Sequence, residues 1–302
     1  MTVKLRVPAT TANLGPGFDS LGMALAIWNR LEVSPRPDQE NLSISIEGFG
    51  ADVLPRTPKN LVLASAAQLL DGQVYAGPGL HFHCVNGFPG SSGLGSSSAA
   101  IVMGLAGANA FLAEPLGTEA LLELANRIEG HPDNVTPALL GGLTVSAVAE
   151  GCVITRRFEP AEGWHVAVAV PALAISTSSM RAALPAQVPF ADAVFNLSRT
   201  GLVVRALETG DLELLQLAMQ DRLHQPYRLP LIPGAHPALA AARALGLPAA
   251  LSGAGPGVIA FSFDENLANE AAGRMADAFR AAGAELWTWV GKPDHSGTRF
   301  EA

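Results

Sequence analysis

Apolar and polar residues alternate at three places in the first third of the chain. Val3, Leu5 and Val7 alternate with Lys4 and Arg6, Leu42, Ile44 and Ile46 alternate through NLSISI, and Leu80, Phe82 and Cys84 alternate with His81 and His83. A period of two predicts strands with one buried face. His81 and His83 then share an outer face. No third ligand stands near them in sequence, so they read as a polar surface rather than a chelate. Helical periods follow. Leu61 to Leu70 has helical spacing, closed by Asp71-Gly72. Ser96 to Leu112 is small and apolar on nearly every side, which predicts a buried helix. Thr118 to Glu129 is amphipathic, with Leu121, Leu122, Leu124, Ala125 and Ile128 as core positions, and Gly130 ends it just before Pro132. GGLTVSAVA and CVITRRF read as a strand pair around Glu150-Gly151.

A polar Pro/Gly stretch, Glu159-Pro160-Ala161-Glu162-Gly163, interrupts the pattern and suggests two domains, 1–160 and 161–302. Beyond it come a strand (His165 to Val170) and helices near Ala191 to Glu208, Asp211 to Asp221 and Pro237 to Leu245. A strand pair around Leu251 and Val258 to Phe263, a helix from Asn266 to Ala282 and a strand from Glu285 to Val290 complete it. This mixture, with its antiparallel hairpin, predicts an α+β sandwich rather than a doubly wound sheet.

Composition narrows the class. At 302 residues and 49% hydrophobic, the chain can bury a large core, and its length suits two domains. A net charge of −8 argues against nucleic acid as a partner, but leaves room for an anionic small molecule held by local amides and a few arginines. Cys84 and Cys152, the two cysteines, are far apart in apolar sequence, which points away from a disulfide framework and toward a reducing cytoplasm. MTVKLRVPATT lacks a signal-peptide core, and the longest apolar run, Ala99 to Ala113, is shorter than a bilayer span and contains Asn109. A cytoplasmic protein with no membrane partner is expected.

One loop carries candidate chemistry. PGSSGLGSSSAA, Pro89 to Ala100, holds three glycines and five serines directly before the buried helix. It lacks the Lys of a Walker A motif, and a Ser stands where the dinucleotide fingerprint needs its third Gly. What remains is a glycine-rich turn into a helix. The unpaired amides and the dipole at a helix N-terminus attract anions. Gly93 and Gly95 would let the backbone approach phosphate closely, and Ser96, Ser97 and Ser98 could donate to phosphate or bind Mg²⁺. Alone, the loop reads equally well as a serine-capped linker. Two other glycine stretches, PATTANLGPGFDSLG (Pro8 to Gly22) and LSGAGPGVIAF (Leu251 to Phe261), and the segment EGHPDNVTPALLGG shift that balance.

In order and spacing, these stretches resemble the three motifs of the GHMP small-molecule kinases, over nearly the whole chain. TTANLGPGFDSLG, HPDN, STSSMR and QPYRLPLIPG are most similar to the homoserine kinase branch. The resemblance implies an N-terminal domain with a left-handed βαβ unit and a ferredoxin-like C-terminal domain, with ATP in the cleft between them. It implies that Pro89, Gly90, Ser91, Ser92, Gly93, Leu94, Gly95, Ser96, Ser97, Ser98 and Ala99 form the nucleotide loop. Mg²⁺ would be held by a serine, Ser97 ahead of Ser96, and by a Glu eleven residues before the HPDN Asn, which is Glu123. Glu129 is the rival carboxylate. The acceptor implied is L-homoserine, with Arg181 and Arg228 on its carboxylate, Asp19 on its ammonium, and Asn13, His131, Asn134 and Gly255 completing the pocket. A homodimer is also implied.

At the matching position, mevalonate kinase and galactokinase resemble one another in having an Asp that takes the hydroxyl proton. Here the residue is Asn134, which has no useful basicity, so no dedicated general base is expected and positioning must carry the reaction. Two alternatives stay open: a GHMP kinase acting on another small alcohol, and a non-catalytic ATP-binding protein on the same fold. Two arginines suit a carboxylate better than a sugar, and a pure binder would not need metal ligands.

Overall fold

The computed structural model describes residues 2–73, 75–173 and 175–301. A seven-stranded sheet organises the first half. Its strands are β1 (Val3–Ala12), β2 (Leu21–Arg36), β3 (Ser43–Gly48), β4 (Gly79–Asn86), β5 (Leu143–Ala149), β6 (Cys152–Phe158) and, from the end of the chain, β11 (Arg299–Glu301). They run in the order β11-β1-β2-β4-β3, and β5 joins β2 and β6. Among the described residues only β3 and β4 pair in parallel, joined across helix α1 (Leu61–Gly72), which supplies the expected βαβ unit. The alternation in β1 and β4 holds: Leu5, Val7, Leu80 and Phe82 are all fully buried. His81 and His83 hydrogen-bond Ser43 and Ser45 of β3, as a polar surface would.

Three more helices cover this sheet: α2 (Ser96–Asn109), α3 (Thr118–Glu129) and α4 (Pro132–Leu140). Helix α2 is buried almost all round, and packs Ile101, Val102, Met103 and Leu105 into the main core. The alternation pattern does not reveal β2, because Leu21 to Leu25 are buried on both faces and carry no period. Nor does it reveal α4, whose two prolines read as breakers. Pro132 sits in the first turn, where a missing N–H costs nothing, but Pro137 lies inside.

A second, four-stranded antiparallel sheet organises the rest: β7 (His165–Pro171), β8 (Ala249–Leu251), β9 (Val258–Ser262) and β10 (Leu286–Gly291). Its order is β10-β7-β9-β8, which is the ferredoxin-like arrangement. Its helices are α5 (Thr177–Ala182), α6 (Phe190–Thr209), α7 (Leu212–Ala218), α8 (Gln225–Arg228), α9 (Ala235–Arg243) and α10 (Glu265–Ala281). Strand β7 is buried on both faces. Val166, Val168 and Val170 join the main core with Val203 and Leu207 of α6, while Ala167 and Ala169 face Leu239 of α9 and Met275 and Phe279 of α10. After β10 the chain crosses back. Pro293 bridges to Leu25, and β11 pairs with β1. Arg299 to Glu301 thereby cover a strand edge of the first sheet. No described helix is long and apolar enough to cross a membrane.

The two halves are pinned where their loops meet. Gly253 N–H donates to the Ala12 carbonyl (3.1 Å), and Gly257 N–H to the Ser92 carbonyl (3.1 Å). Gly95 is held between Thr10 Oγ1 and Asn134 Oδ1 with φ +65°, so a side chain there would meet both atoms in a strained backbone. Gly95→Ala is expected to cost about 2–4 kcal/mol in urea unfolding. Gly246 also has a positive φ (+76°), but a Cβ there would find nothing within 4 Å. Gly246→Ala should cost only about 1 kcal/mol. Equal losses at the two sites would refute the steric account.

Candidate active site

A cleft of about 340 Å³ opens where the two sheets and their loops meet. One end is apolar, lined by Ile44, Ile46, Leu61, Val62, Cys84 and Met103. The other end is polar and carries Asn13, Asp19, His131, Asp133, Asn134, Arg181 and Arg228. Gly90 to Gly93 and Gly95 to Ser97 lie along the wall, opposite Gly253 to Gly255.

The glycine-serine loop is shaped by contacts to protein. Ser92 Oγ donates to the Pro89 carbonyl (2.7 Å), Thr10 N–H to the Leu94 carbonyl (3.1 Å) and Ser252 Oγ to the Gly93 carbonyl (2.7 Å). The glycines are therefore explained differently from expectation. A Cβ on Gly93 would strike the Ser252 carbonyl and one on Gly95 would strike Thr10, while one on Gly90 would make only an ordinary contact with Ser96 Oγ at 3.8 Å. Leu94 and Ala99 point into the core and serve the loop through packing and backbone alone. Gly95 caps α2 without a side-chain bond, so the first-turn amides of Ser96 to Ser98 remain free for an anion at the cleft.

Ser97 and Ser98 both donate to Glu129 Oε1, at 2.6 and 2.8 Å. Glu129 is the last residue of α3, and Gly130 (φ +91°) turns the chain there toward His131. Glu123, the carboxylate expected here, does not line the cleft, whereas Glu129 does. Six helical residues rotate a side chain by about 240°, so Glu123 and Glu129 occupy different faces of α3. Counting eleven residues back from Asn134 overshoots, because only Gly130 separates the helix end from HPDN. Ser96 lines the cleft but does not share the Glu129 contact. Two hydroxyls against one carboxylate are the hard oxygen donors that suit Mg²⁺, a cation that keeps several waters and takes phosphate oxygens as further ligands.

The HPDN segment starts α4. His131 Nδ1 is 2.7 Å from Asp133 Oδ1, and both side chains are largely buried. The hydrogen bond to Asp133 raises the His131 pKa; burial opposes it, and the charges of Asp133, Glu129 and Asp19 add to it. Thr10 Oγ1 donates to Asn134 Oδ1 (2.7 Å), which fixes the carboxamide; its NH₂ donates to Asp133 Oδ1 (3.4 Å) and has a second N–H for the cleft. Asp133 was not singled out from sequence, although it sits inside the motif that was.

At the polar end, Arg181 grips Asp19 with both prongs of its guanidinium, at 2.7 and 2.8 Å. The two groups expected to take opposite ends of an amino acid thus hold each other. Asp19 raises the Arg181 pKa, and both side chains stay partly exposed. Asn13 steadies this corner by accepting from Asp19 N–H (3.0 Å) and donating to the Gly253 carbonyl (2.8 Å). Arg228 differs. It is 2% exposed, and its recorded partners are neutral: the Met180 carbonyl (3.2 Å), the Gly253 carbonyl (3.4 Å) and His224 Nδ1 (3.4 Å). Burial lowers its pKa and the nearby Arg181 charge lowers it further, against the opposing charges of Asp19, Asp133 and Asp221.

Known proteins share the sequence and the fold of this chain. The GHMP kinases N terminal domain pattern matches residues 60–142, and the GHMP kinases C terminal pattern matches 203–281. A homoserine kinase of Moorella thermoacetica is 49% identical over 85% of this chain and 86% of its own. One from Desulfitobacterium hafniense is 40% identical over 98% of both. The crystal structure of a homoserine kinase from Cytophaga hutchinsonii superposes with a TM-score of 0.90 at 27% identity, covering 99% of this chain and 97% of that one. Leishmania major mevalonate kinase in complex with R-mevalonate shares the fold, with a TM-score of 0.69 at 18% identity and 96% coverage of both chains.

The raised His131 pKa sets a pH dependence. Its folded value lies above the ordinary value of about 6.5. Its stabilising contribution should therefore be complete below that value and vanish as pH rises through the folded pKa. NMR titration of the His131 ring should give a pKa that falls in Asp133→Asn. An unchanged pKa in that variant would remove Asp133 as the cause.

Proposed function

The chain belongs to the homoserine kinases of the GHMP kinase family, and from that premise we propose how its cleft moves the γ-phosphoryl group of ATP to the side-chain hydroxyl of L-homoserine. The observation that carries the acceptor assignment is Arg228, a buried cation at the cleft wall with only neutral partners recorded. Such a charge costs several kcal/mol unless it is paired, which suits a site built to receive a carboxylate. Arg181 joins it on that carboxylate, and Asp19 passes from Arg181 to the ammonium. The Asp19–Arg181 pair is partly exposed and so worth only about 0–1 kcal/mol. Exchanging it for a zwitterion costs little, whereas a neutral alcohol would offer nothing to Arg228.

ATP fits the remaining cleft, with its base at the apolar end and its phosphates against the first-turn amides of α2. Glu129, with Ser97 or Ser98, would hold Mg²⁺, which when bound neutralises charge on the β and γ phosphates. The acceptor hydroxyl lies at Asn134, whose NH₂ donates to the reacting oxygens. No residue is assigned as base: Asn134 lacks basicity, and Asp133 is engaged by His131. The hydroxyl proton passes to a γ-phosphate oxygen, which a loose transition state tolerates.

ADP release with Mg²⁺-ATP should be fast with L-homoserine and slow with L-threonine, mevalonate or galactose. Turnover of one of these others without turnover of homoserine would reject the acceptor. In the same assay Glu129→Gln should lose about 100-fold or more in kcat/KM, whereas Glu123→Gln should stay within about twofold. Asn134→Asp should gain less than about tenfold, some 1.4 kcal/mol. The reverse ranking of the glutamates, or a larger gain at Asn134, would overturn those assignments.

The same reading includes a homodimer. Helix α6 exposes Phe190, Val194 and Leu197 at helical spacing, an apolar stripe that a second copy would cover. Light scattering should give twice the chain mass, and Leu197→Glu should halve it. A monomeric wild type would exclude the dimer.

A further inference from the structure

We propose that His224 is a positioning residue for the acceptor: as a buried neutral imidazole it holds the Arg228 guanidinium at the cleft wall. The proposal rests on Arg228 receiving the acceptor's carboxylate.

The two ring nitrogens of His224 have different partners. Nε2 lies 2.8 Å from the Gly15 carbonyl oxygen, which can only accept, so Nε2 carries the proton. Nδ1 lies 3.4 Å from Arg228 Nη1, which can only donate, so Nδ1 presents its lone pair. One neutral tautomer satisfies both contacts. A protonated ring would turn an N–H toward the guanidinium. The surroundings favour the neutral form: the side chain is fully buried, and burial lowers its pKa, as does the charge of Arg228, against the opposing pull of Asp221.

The ring is placed by the chain around it. Asp221 accepts from the backbone N–H groups of Leu223 (2.9 Å), His224 (3.1 Å) and Gln225 (2.6 Å), and from Asn196 Nδ2 (2.7 Å). This fixes the entry to α8, and His224 and Arg228, four residues apart, then share one face. Phe18 closes the arrangement. Its ring lies 5.4 Å from that of His224, and the Arg228 and Arg181 guanidinium carbons lie 5.1 and 5.4 Å from its centre. Most fully buried histidines only fill a core. This one binds the Gly15 turn of the first motif on one side and the site's buried cation on the other.

The test is steady-state kinetics on His224→Asn, His224→Gln and Arg228→Gln, with KM measured for L-homoserine and for ATP. Asn can place its carbonyl oxygen near the Nδ1 position, whereas Gln places its amide near Nε2 and leaves Arg228 without that acceptor. His224→Gln should raise the homoserine KM about tenfold while leaving the ATP KM and kcat within about twofold, and His224→Asn should recover most of the loss. An unchanged homoserine KM in His224→Gln would refute the proposal, as would equal changes in both KM values, which would mark a general structural role. If Arg228→Gln leaves the homoserine KM unchanged, the carboxylate assignment itself fails. If Arg228→Gln raises that KM and His224→Gln does not, only the role of His224 fails. Should His224→Gln not fold, His224→Leu provides the same acceptor deletion and must show the same selective rise.

Discussion

The Ser252 hydroxyl stands 2.7 Å from the Gly93 carbonyl and 2.9 Å from Thr11 Oγ1, buried where three loops converge. These groups come from the end of β1, the loop before α2 and the loop after β8. Beside this contact, Gly257 N–H reaches Ser92 and Gly253 N–H reaches Ala12, so the second half of the chain fixes the first half's glycine-serine loop. The loop approaches these partners closely enough that Gly93 and Gly95 have no room for side chains. Its shape is thus set by protein contacts, and the first-turn amides of α2 keep no side-chain cap. Without the clasp, a serine-rich segment of this composition would have little reason to stay ordered.

From the same junction the polar end of the cleft acquires its charge arrangement. Asn13 spans from Asp19 to Gly253, and Arg228 reaches Gly253 from the other side. Acid and base are then treated differently. Asp19 and Arg181 neutralise each other in a partly exposed pair, while Arg228 is kept dry against neutral acceptors and the Phe18 ring. A site arranged in this way favours a ligand that brings both an ammonium and a carboxylate, since either charge alone would leave one of the cleft's groups unmatched. This charge arrangement is separate from the contacts that shape the glycine-serine loop.

The catalytic corner is similarly prepared by hydrogen bonds that precede any reaction. Thr10 orients Asn134, Asp133 holds His131, and Ser97 with Ser98 holds Glu129. All three pairs lie on β1 or on the ends of α2, α3 and α4, elements that pack into the main core. Reactions that depend on positioning and charge rather than on a strong base require such rigidity.

The amino-acid sequence by itself determined most of the elements with a clear period, and the chemistry with a distinctive local pattern. The alternation in β1 and β4, the apolar helix α2, the amphipathic helix α3, the glycine-serine loop and HPDN were all legible, because each depends on residues near one another in the chain. Arg181, Arg228, Asp19 and Asn134 could be named through resemblance, although nothing local marks an arginine as buried. Tertiary structure alone decided the rest. It placed β2 with both faces covered, returned β11 to the first sheet, and put Glu129 rather than Glu123 beside the serines, because a carboxylate's partner depends on helix phase and on where the helix stops. It also joined Asp221, His224 and Arg228 to Gly15 and Phe18, some two hundred residues away. Local pattern records what one element presents to its own faces; which groups meet across a cleft is fixed only when the elements pack.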